Sequence, residues 1–145
     1  MSVEENVALM RRWFDEVWNK GRLDAIGEMM APDAIDTGAA GADQIIHGPA
    51  EFRAFAEQFQ KAFSKIHISI EDAFGSGDRV VVRWSAEMVH TGESDGIPAT
   101  GRTVKVRGIS LARLENGKFV EGWDNWDQFG LQQQLLAGAA AGKSA

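Results

Sequence analysis

The sequence predicts an α+β domain in which N-terminal helices pack into the concavity of a highly curved antiparallel sheet. Two observations carry this. Apolar residues recur at helical spacing through the first 63 residues, and the period changes to two from Ile66 onward. Helices followed by a meander imply helices laid on one face of an antiparallel sheet. At 145 residues the chain fits one domain, with its body over residues 1–137 and a small, polar tail over 138–145 that is expected to fray.

Ser2-Val3-Glu4-Glu5 has capping-box spacing and starts the first helix. Val7, Met10, Phe14, Val17 and Trp18 share its apolar face, and Gly21 is its stop. A short second helix turns Leu23, Ile26 and Met30 inward and ends at Pro32. Residues 33–47 lack steady periodicity and read as a strand fragment near Ala34–Asp36 followed by a loop. Gly48-Pro49 opens the third helix, whose stripe is Phe52, Phe55, Phe59 and Phe63.

Ile66, Ile68 and Ile70 then alternate with His67, Ser69 and Glu71, the pattern of a half-buried strand. Gly75–Asp78 is a turn, Arg79–Glu93 a long strand, Ser94–Thr100 a loop and Arg102–Leu114 another strand. Asn116-Gly117 marks a tight hairpin into a last strand over Phe119–Asp127. Leu131–Ala137 is expected as a short closing helix.

The composition excludes several functions. A net charge of −6 with no basic stripe disfavours nucleic acid. The absence of cysteine removes disulfides and thiolate metal sites and agrees with a reducing cytoplasm. No apolar run approaches the roughly 20 residues of a membrane span, so no membrane role is expected. Three histidines, His47, His67 and His90, without ligand spacing make a poor metal site, and none is expected.

The motifs of the last third stand in order: Pro98–Arg102, Val106–Ser110, Asn116–Glu121, Gly122-Trp123-Asp124-Asn125-Trp126-Asp127 and Gly130–Leu135. Ala31-Pro32-Asp33, Gly77–Val80 and Val89–Gly92 agree with them. Together they resemble the SnoaL-like polyketide cyclase family, within the nuclear-transport-factor-2-like superfamily of cone-shaped α+β barrels. The resemblance implies an open cone for a small apolar molecule, a homodimer formed through the sheet, and acid/base chemistry without cofactor. It also implies an aspartate near the end of the last strand as the acid/base group. The chain departs from such cyclases in two places. Asp36-Thr37-Gly38 stands where they often carry a histidine, and Gly108 and Ser110 stand where they carry glutamine and histidine.

Strand alternation places Glu121, Trp123, Asn125 and Asp127 on one face of the last strand and Asp124 and Trp126 on the other. The first set is expected to face the pocket, unless a bulge swaps the two. Asp127 is then the first candidate for catalysis, because desolvation in an apolar cone raises a carboxyl toward the working range of a base. Its alternative role is to cap the closing helix. Asp124 is the second candidate. Asp36 is a third by position, as the base of ketosteroid-isomerase-like relatives lies near that segment. His90 is a candidate proton shuttle or donor, or else a partly exposed histidine at a strand end. Asn125 could stabilise an oxyanion or merely satisfy backbone groups. Trp84, Met88, Ser110 and Trp123 are candidate substrate contacts. Arg83, Arg107 and Arg113 are expected on the opposite face in cross-strand ion pairs.

Three functions compete. The first is a cofactor-free lyase, isomerase or cyclase acting on a small apolar carbonyl compound. The second is a non-catalytic binding module. The third is an epoxide-hydrolase-like enzyme, which needs an inward arginine beside an inward aspartate.

Overall fold

A computed structural model describes the backbone of residues 1–144 and the side chains through Gly138. Helix α1 spans Val3–Trp13 and continues as a π-helical turn over Phe14–Asn19. Ser2 and Glu5 close the capping box reciprocally. Helix α2 is short, Ala25–Met29, and β1 follows directly over Met30–Thr37. Met30 therefore belongs to a strand, and Pro32 sits inside that strand rather than ending a helix. β2, Ile45–His47, lies in the segment read as loop. Its three residues are too few for an alternation to be seen in sequence. Helix α3 spans Gly48–Ala62 with proline in its first turn.

The remaining strands are β3 (Phe63–Ser76), β4 (Arg79–His90), β5 (Thr103–Glu115) and β6 (Lys118–Trp126). Asn116 and Gly117 both take positive φ, as a two-residue hairpin turn demands. The six strands form one curved, unclosed sheet in the order β2-β1-β6-β5-β4-β3. Every pairing is antiparallel except β1 with β6, which is parallel. The sheet edge at β3 is partly sealed by Asn19, whose amide accepts from Ile68 N–H at 2.6 Å and donates to Ile68 C=O at 3.0 Å. That contact clamps the end of the π-helical turn to the sheet.

Helix α4 spans Gln128–Ser144, longer than the expected Leu131–Ala137. Residues read as a tail leaving at Gly138 continue it, and Ala145 lies outside the described residues. Leu131 and Leu135 anchor the helix in the core. Gln134 copies a strand neighbour, accepting from Lys105 N–H and donating to Lys105 C=O. No helix among the described residues is long and apolar enough to cross a membrane.

The core lies between α1, α3 and the concave face of the sheet. Val80, Val82, Trp84, Ala86, Met88 and His90 alternate along β4 and are all buried. Opposite them, Phe14, Val17 and Met10 come from the first helical stretch and Phe52 and Ala56 from α3. Burying one such large apolar side chain contributes about 1.5–3 kcal/mol. Phe55 and Phe59 of the expected stripe are only partly buried, because they border empty space.

Candidate active site

The space between helices and sheet is a cavity of about 950 Å³, counting the part open to solvent. Its walls are mostly apolar and rich in aromatic rings. Trp18 meets Phe52, Phe55 and Phe59 edge-on at centroid distances of 6.2, 6.1 and 5.6 Å. Trp13 meets Phe52 at 5.0 Å and Phe119 at 5.3 Å. The helical spacing of the α3 phenylalanines puts them in one row along the cavity. Edge-to-face packing holds these rings without a hydrogen bond. Flat apolar rings suit such walls.

One polar chain crosses this apolar surface on neighbouring strands. The Trp84 indole N–H of β4 donates to the Ser110 hydroxyl of β5 at 3.1 Å. That hydroxyl donates to Asp124 Oδ1 of β6 at 2.5 Å. An indole can only donate, so the serine must accept from it and spend its own proton on Asp124. Asp36 of β1 completes the line. Its Oδ1 accepts from Ala39 N–H at 3.3 Å, and its carboxyl is hydrogen-bonded to Asp124. Burial, followed by the adjacent Asp124, pushes the Asp36 carboxyl up to about 9 against the opposing pull of the Ala39 N–H. At neutral pH Asp36 thus carries a proton.

Two glycines make this arrangement possible. Gly108 pairs with Trp84 on one side and Trp126 on the other. A Cβ there would stand 2.6 Å from Trp84 Cζ2 and 2.6 Å from Trp126 Cβ. Gly122 pairs with Asp36, and its Cβ would stand 2.7 Å from Asp36 Oδ2. Gly108, noted in the sequence only as a departure, is the seat of two indoles.

Of the residues singled out in the sequence, Trp84, Met88, Ser110 and Asp124 line the cavity, as does Asp36. The expected parity of β6 is corrected. Asp124 and Trp126 face inward, while Trp123 and Asn125 do not line the cavity and Asp127 is exposed beyond the strand. A bulge is the reason. Leu114 pairs with Phe119 but Arg113 pairs with Glu121, so Val120 is an extra residue. Phe119 points inward with an odd number, and beyond the bulge Gly122, Asp124 and Trp126 do so with even ones. Trp123 lies on the outer side beneath the Arg79 guanidinium, 5.6 Å from its ring. Asn125 is exposed. Asp127 Oδ1 accepts from Gly130 N–H at 2.9 Å, which makes it the cap of α4. Trp126 donates its indole N–H to Ala39 C=O at 3.1 Å and so ties the post-β1 loop over the site.

His90 is wholly buried but is not part of the cavity wall. Its Nδ1 accepts from Thr100 N–H at 3.2 Å and lies 3.0 Å from the Thr100 hydroxyl, which pins the loop before β5. Its ring packs on Phe63 at 5.4 Å. His67 is exposed, and His47 is exposed beside Glu51. Arg83 pairs with Asp72, and Arg113 with Glu115 and Glu121. Arg107 is exposed, and no arginine lines the cavity. Among the described residues no three metal-ligating side chains cluster.

Comparison with known proteins agrees with this geometry. The family model for SnoaL-like polyketide cyclase matches residues 8–135. The aklanonic acid methyl ester cyclase DnrD of Streptomyces peucetius is 29% identical over 130 residues, covering 89% of each chain. A SnoaL-like protein from Jannaschia sp. CCS1 superposes with a TM-score of 0.81 at 26% identity, covering 90% of both chains. AclR of Streptomyces galilaeus, a proposed hydroxylase, does so at 0.81 and 27%, covering 92% of this chain and 82% of its own.

Proposed function

This chain belongs to the SnoaL-like polyketide cyclase family, and from that premise we propose that it closes a ring in a flat, apolar carbonyl compound by acid/base chemistry at Asp124. The observation that carries the proposal is the Trp84–Ser110–Asp124 chain, which ends on a carboxyl inside a mostly apolar cavity. The order of hydrogens along it gives Asp124 the Ser110 hydroxyl as donor at Oδ1 and the Asp36 carboxyl as a second partner, which makes Asp124 the acceptor of the pair and the side that can take a substrate proton.

In the proposed step Asp124 takes a proton from the carbon next to a substrate carbonyl. The C–H electron pair becomes an enolate. The enolate carbon attacks a second carbonyl carbon of the same molecule, forming one C–C bond and an alkoxide. Asp124 returns its proton to that alkoxide. Nothing is gained or lost, so the reaction is an isomerisation and needs no cofactor. The aromatic walls contribute by holding the two reacting carbons together, which replaces an encounter by a positioned contact. DnrD is by name a cyclase of aklanonic acid methyl ester, so that ester is the first substrate to try.

The test is Asp124→Asn, which keeps size and polarity but removes the base. Turnover should fall about 100- to 10,000-fold while ligand binding is kept. Undiminished turnover by the Asn variant would end this assignment. One observation favours a second reading, a binding module: Gly108 and Ser110 occupy the places where the family resemblance implies glutamine and histidine. Tight ligand retention in native mass spectrometry, with no turnover of any carbonyl compound tried, would support it.

A further inference from the structure

We infer that Gln128 is a positioning residue of the site: from outside the cavity it fixes the Gly38–Ala39 peptide, and that peptide fixes Asp36 against Asp124. The inference rests on the cyclase reading above and adds what holds the carboxyl pair in place. The chain of contacts is short. The Gln128 side-chain amide donates to Gly38 C=O at 3.0 Å. The N–H at the other end of that same peptide, on Ala39, donates to Asp36 Oδ1 at 3.3 Å. The Asp36 carboxyl is in turn hydrogen-bonded to Asp124. Ala39, Asp36 and Asp124 line the cavity, and Gln128 does not.

This peptide needs holding because of the residue before it. β1 ends at Thr37, and the chain then passes directly over the backbone of Asp124. A Cβ on residue 38 would stand 2.1 Å from the Asp124 carbonyl oxygen, and Gly38 takes φ +101°, so only glycine fits there. The same glycine leaves the Gly38–Ala39 peptide free to turn over, since its backbone accepts conformations closed to other residues. Turned over, the peptide would carry the Ala39 N–H away from Asp36 and bring a carbonyl oxygen toward that carboxyl. Gln128 opposes this by giving Gly38 C=O a partner on the far side. Gly38 and Ala39 are both buried, which leaves a carbonyl without Gln128 unpaired. Two hydrogen bonds through one peptide also polarise each other. The remaining bonds hold the loop elsewhere, with Trp126 on Ala39 C=O and Gly38 N–H on Gln44 C=O. Asp124 is thereby braced from two sides, by Trp84 through Ser110 and by Gln128 through Ala39 N–H and Asp36.

The experiment uses two variants of similar size that lack the donor, Gln128→Met and Gln128→Glu. Gln128 is the first residue of α4, where a negative charge favours the helix. Gln128→Glu should therefore keep α4 in place while losing the bond to Gly38. By NMR, the Ala39 N–H should exchange about tenfold faster in both variants, and the carboxyl carbon signal of Asp36 should move. The Leu131 N–H, held by Asp127 C=O at the start of α4, should exchange as in the wild type. Wild-type exchange at Ala39 with an unmoved Asp36 signal would overturn the inference. In turnover of aklanonic acid methyl ester, kcat should fall about tenfold with KM within about twofold, since no cavity wall has changed. A residue that only anchored α4 would leave the kcat of the folded protein as it was, so unchanged kcat in both variants would also overturn it. A wild type that does not turn over the ester defeats the cyclase reading alone, and the Ala39 and Asp36 signals then decide whether Gln128 holds the pair.

Discussion

Ser110 and Asp124 stand opposite each other in the β5–β6 register, and the serine hydroxyl reaches Asp124 Oδ1 at 2.5 Å. Ser110 is 2% exposed, so no water competes for that bond. The contact aims one Asp124 oxygen at the serine, and the same carboxyl is hydrogen-bonded to Asp36.

Ser110→Ala should act on two links at once. It strands the Trp84 indole N–H, which has no other acceptor in its hydrogen bonds, and it frees Asp124 to rotate. A buried donor left unpaired costs about 1–3 kcal/mol, measurable by urea unfolding. Turnover should fall about tenfold or more, with kcat affected more than KM, since the aromatic walls that bind the rings are untouched. Unchanged kcat would show that Asp124 is oriented by something else.

Gly108→Ala tests the seat of the two tryptophans. The new methyl group would meet Trp84 and Trp126 at 2.6 Å each, well inside contact distance. Both indoles are fixed by hydrogen bonds, to Ser110 and to Ala39 C=O. Overpacking of this kind costs about 1–3 kcal/mol. The variant should unfold at lower urea concentration and quench differently in tryptophan fluorescence. Wild-type stability with unchanged fluorescence would mean that the indoles are not held as described.

The sequence made the helices and long strands legible because their periods are long and their boundaries carry chemistry. Ser2 and Glu5 close a capping box, Gly48-Pro49 opens α3, and Asn116-Gly117 turns the β5–β6 hairpin. The site was legible only in part. Trp84, Ser110 and Met88, candidate substrate contacts in the sequence, line the cavity, since β4 and β5 pair across this region without a register shift. β6 was misread because one extra residue, Val120, shifts the alternation: Glu121 beside the bulge still lines the cavity as expected, but from Gly122 onward the even-numbered residues Asp124 and Trp126 do so in place of Trp123 and Asn125. A bulge leaves no mark in hydrophobic alternation when both faces carry tryptophan, as Trp123 and Trp126 do. Asp36 was placed near the site by position alone. Its contact with Asp124 depends on the parallel β1–β6 pairing, a long-range relation that no local pattern encodes.

The pH dependence of stability follows from Asp36. Its folded-state value, about 9, lies above the ordinary carboxylate value of about 3.9 in the unfolded chain. Between these values the folded protein holds a proton that the unfolded chain has lost. The contribution of this group is therefore full below about pH 4 and is lost progressively as pH rises toward 9. Asp36→Asn cannot titrate, so the stability difference between variant and wild type should grow with pH, by at most about 1.4 kcal/mol per unit. Urea unfolding of both proteins at pH 5, 6, 7 and 8 measures it. A constant difference across that series would place no bound proton on Asp36.

Asp127→Ala separates a cap from a catalyst. Asp127 lies just past β6, its side chain exposed, with Oδ1 on the Gly130 N–H at 2.9 Å and its carbonyl accepting from Leu131 N–H at 3.1 Å. Those are the contacts of a helix N-cap. Removing the side chain should cost about 1 kcal/mol, because the first turn of α4 loses an acceptor for a free N–H. α4 is held elsewhere by Leu131, Leu135 and the Gln134 amide on Lys105, so the helix should stay in place. Asp127→Asn should be milder still, since asparagine caps about as well as aspartate. Neither change reaches the cavity, and turnover should remain within about twofold of wild type when assayed well below the unfolding transition. Asp124→Asn should show the reverse, with stability nearly kept and turnover lost. A large loss of turnover in Asp127→Asn, at unchanged stability, would return the acid/base role to Asp127 and show that β6 shifts its register when substrate binds.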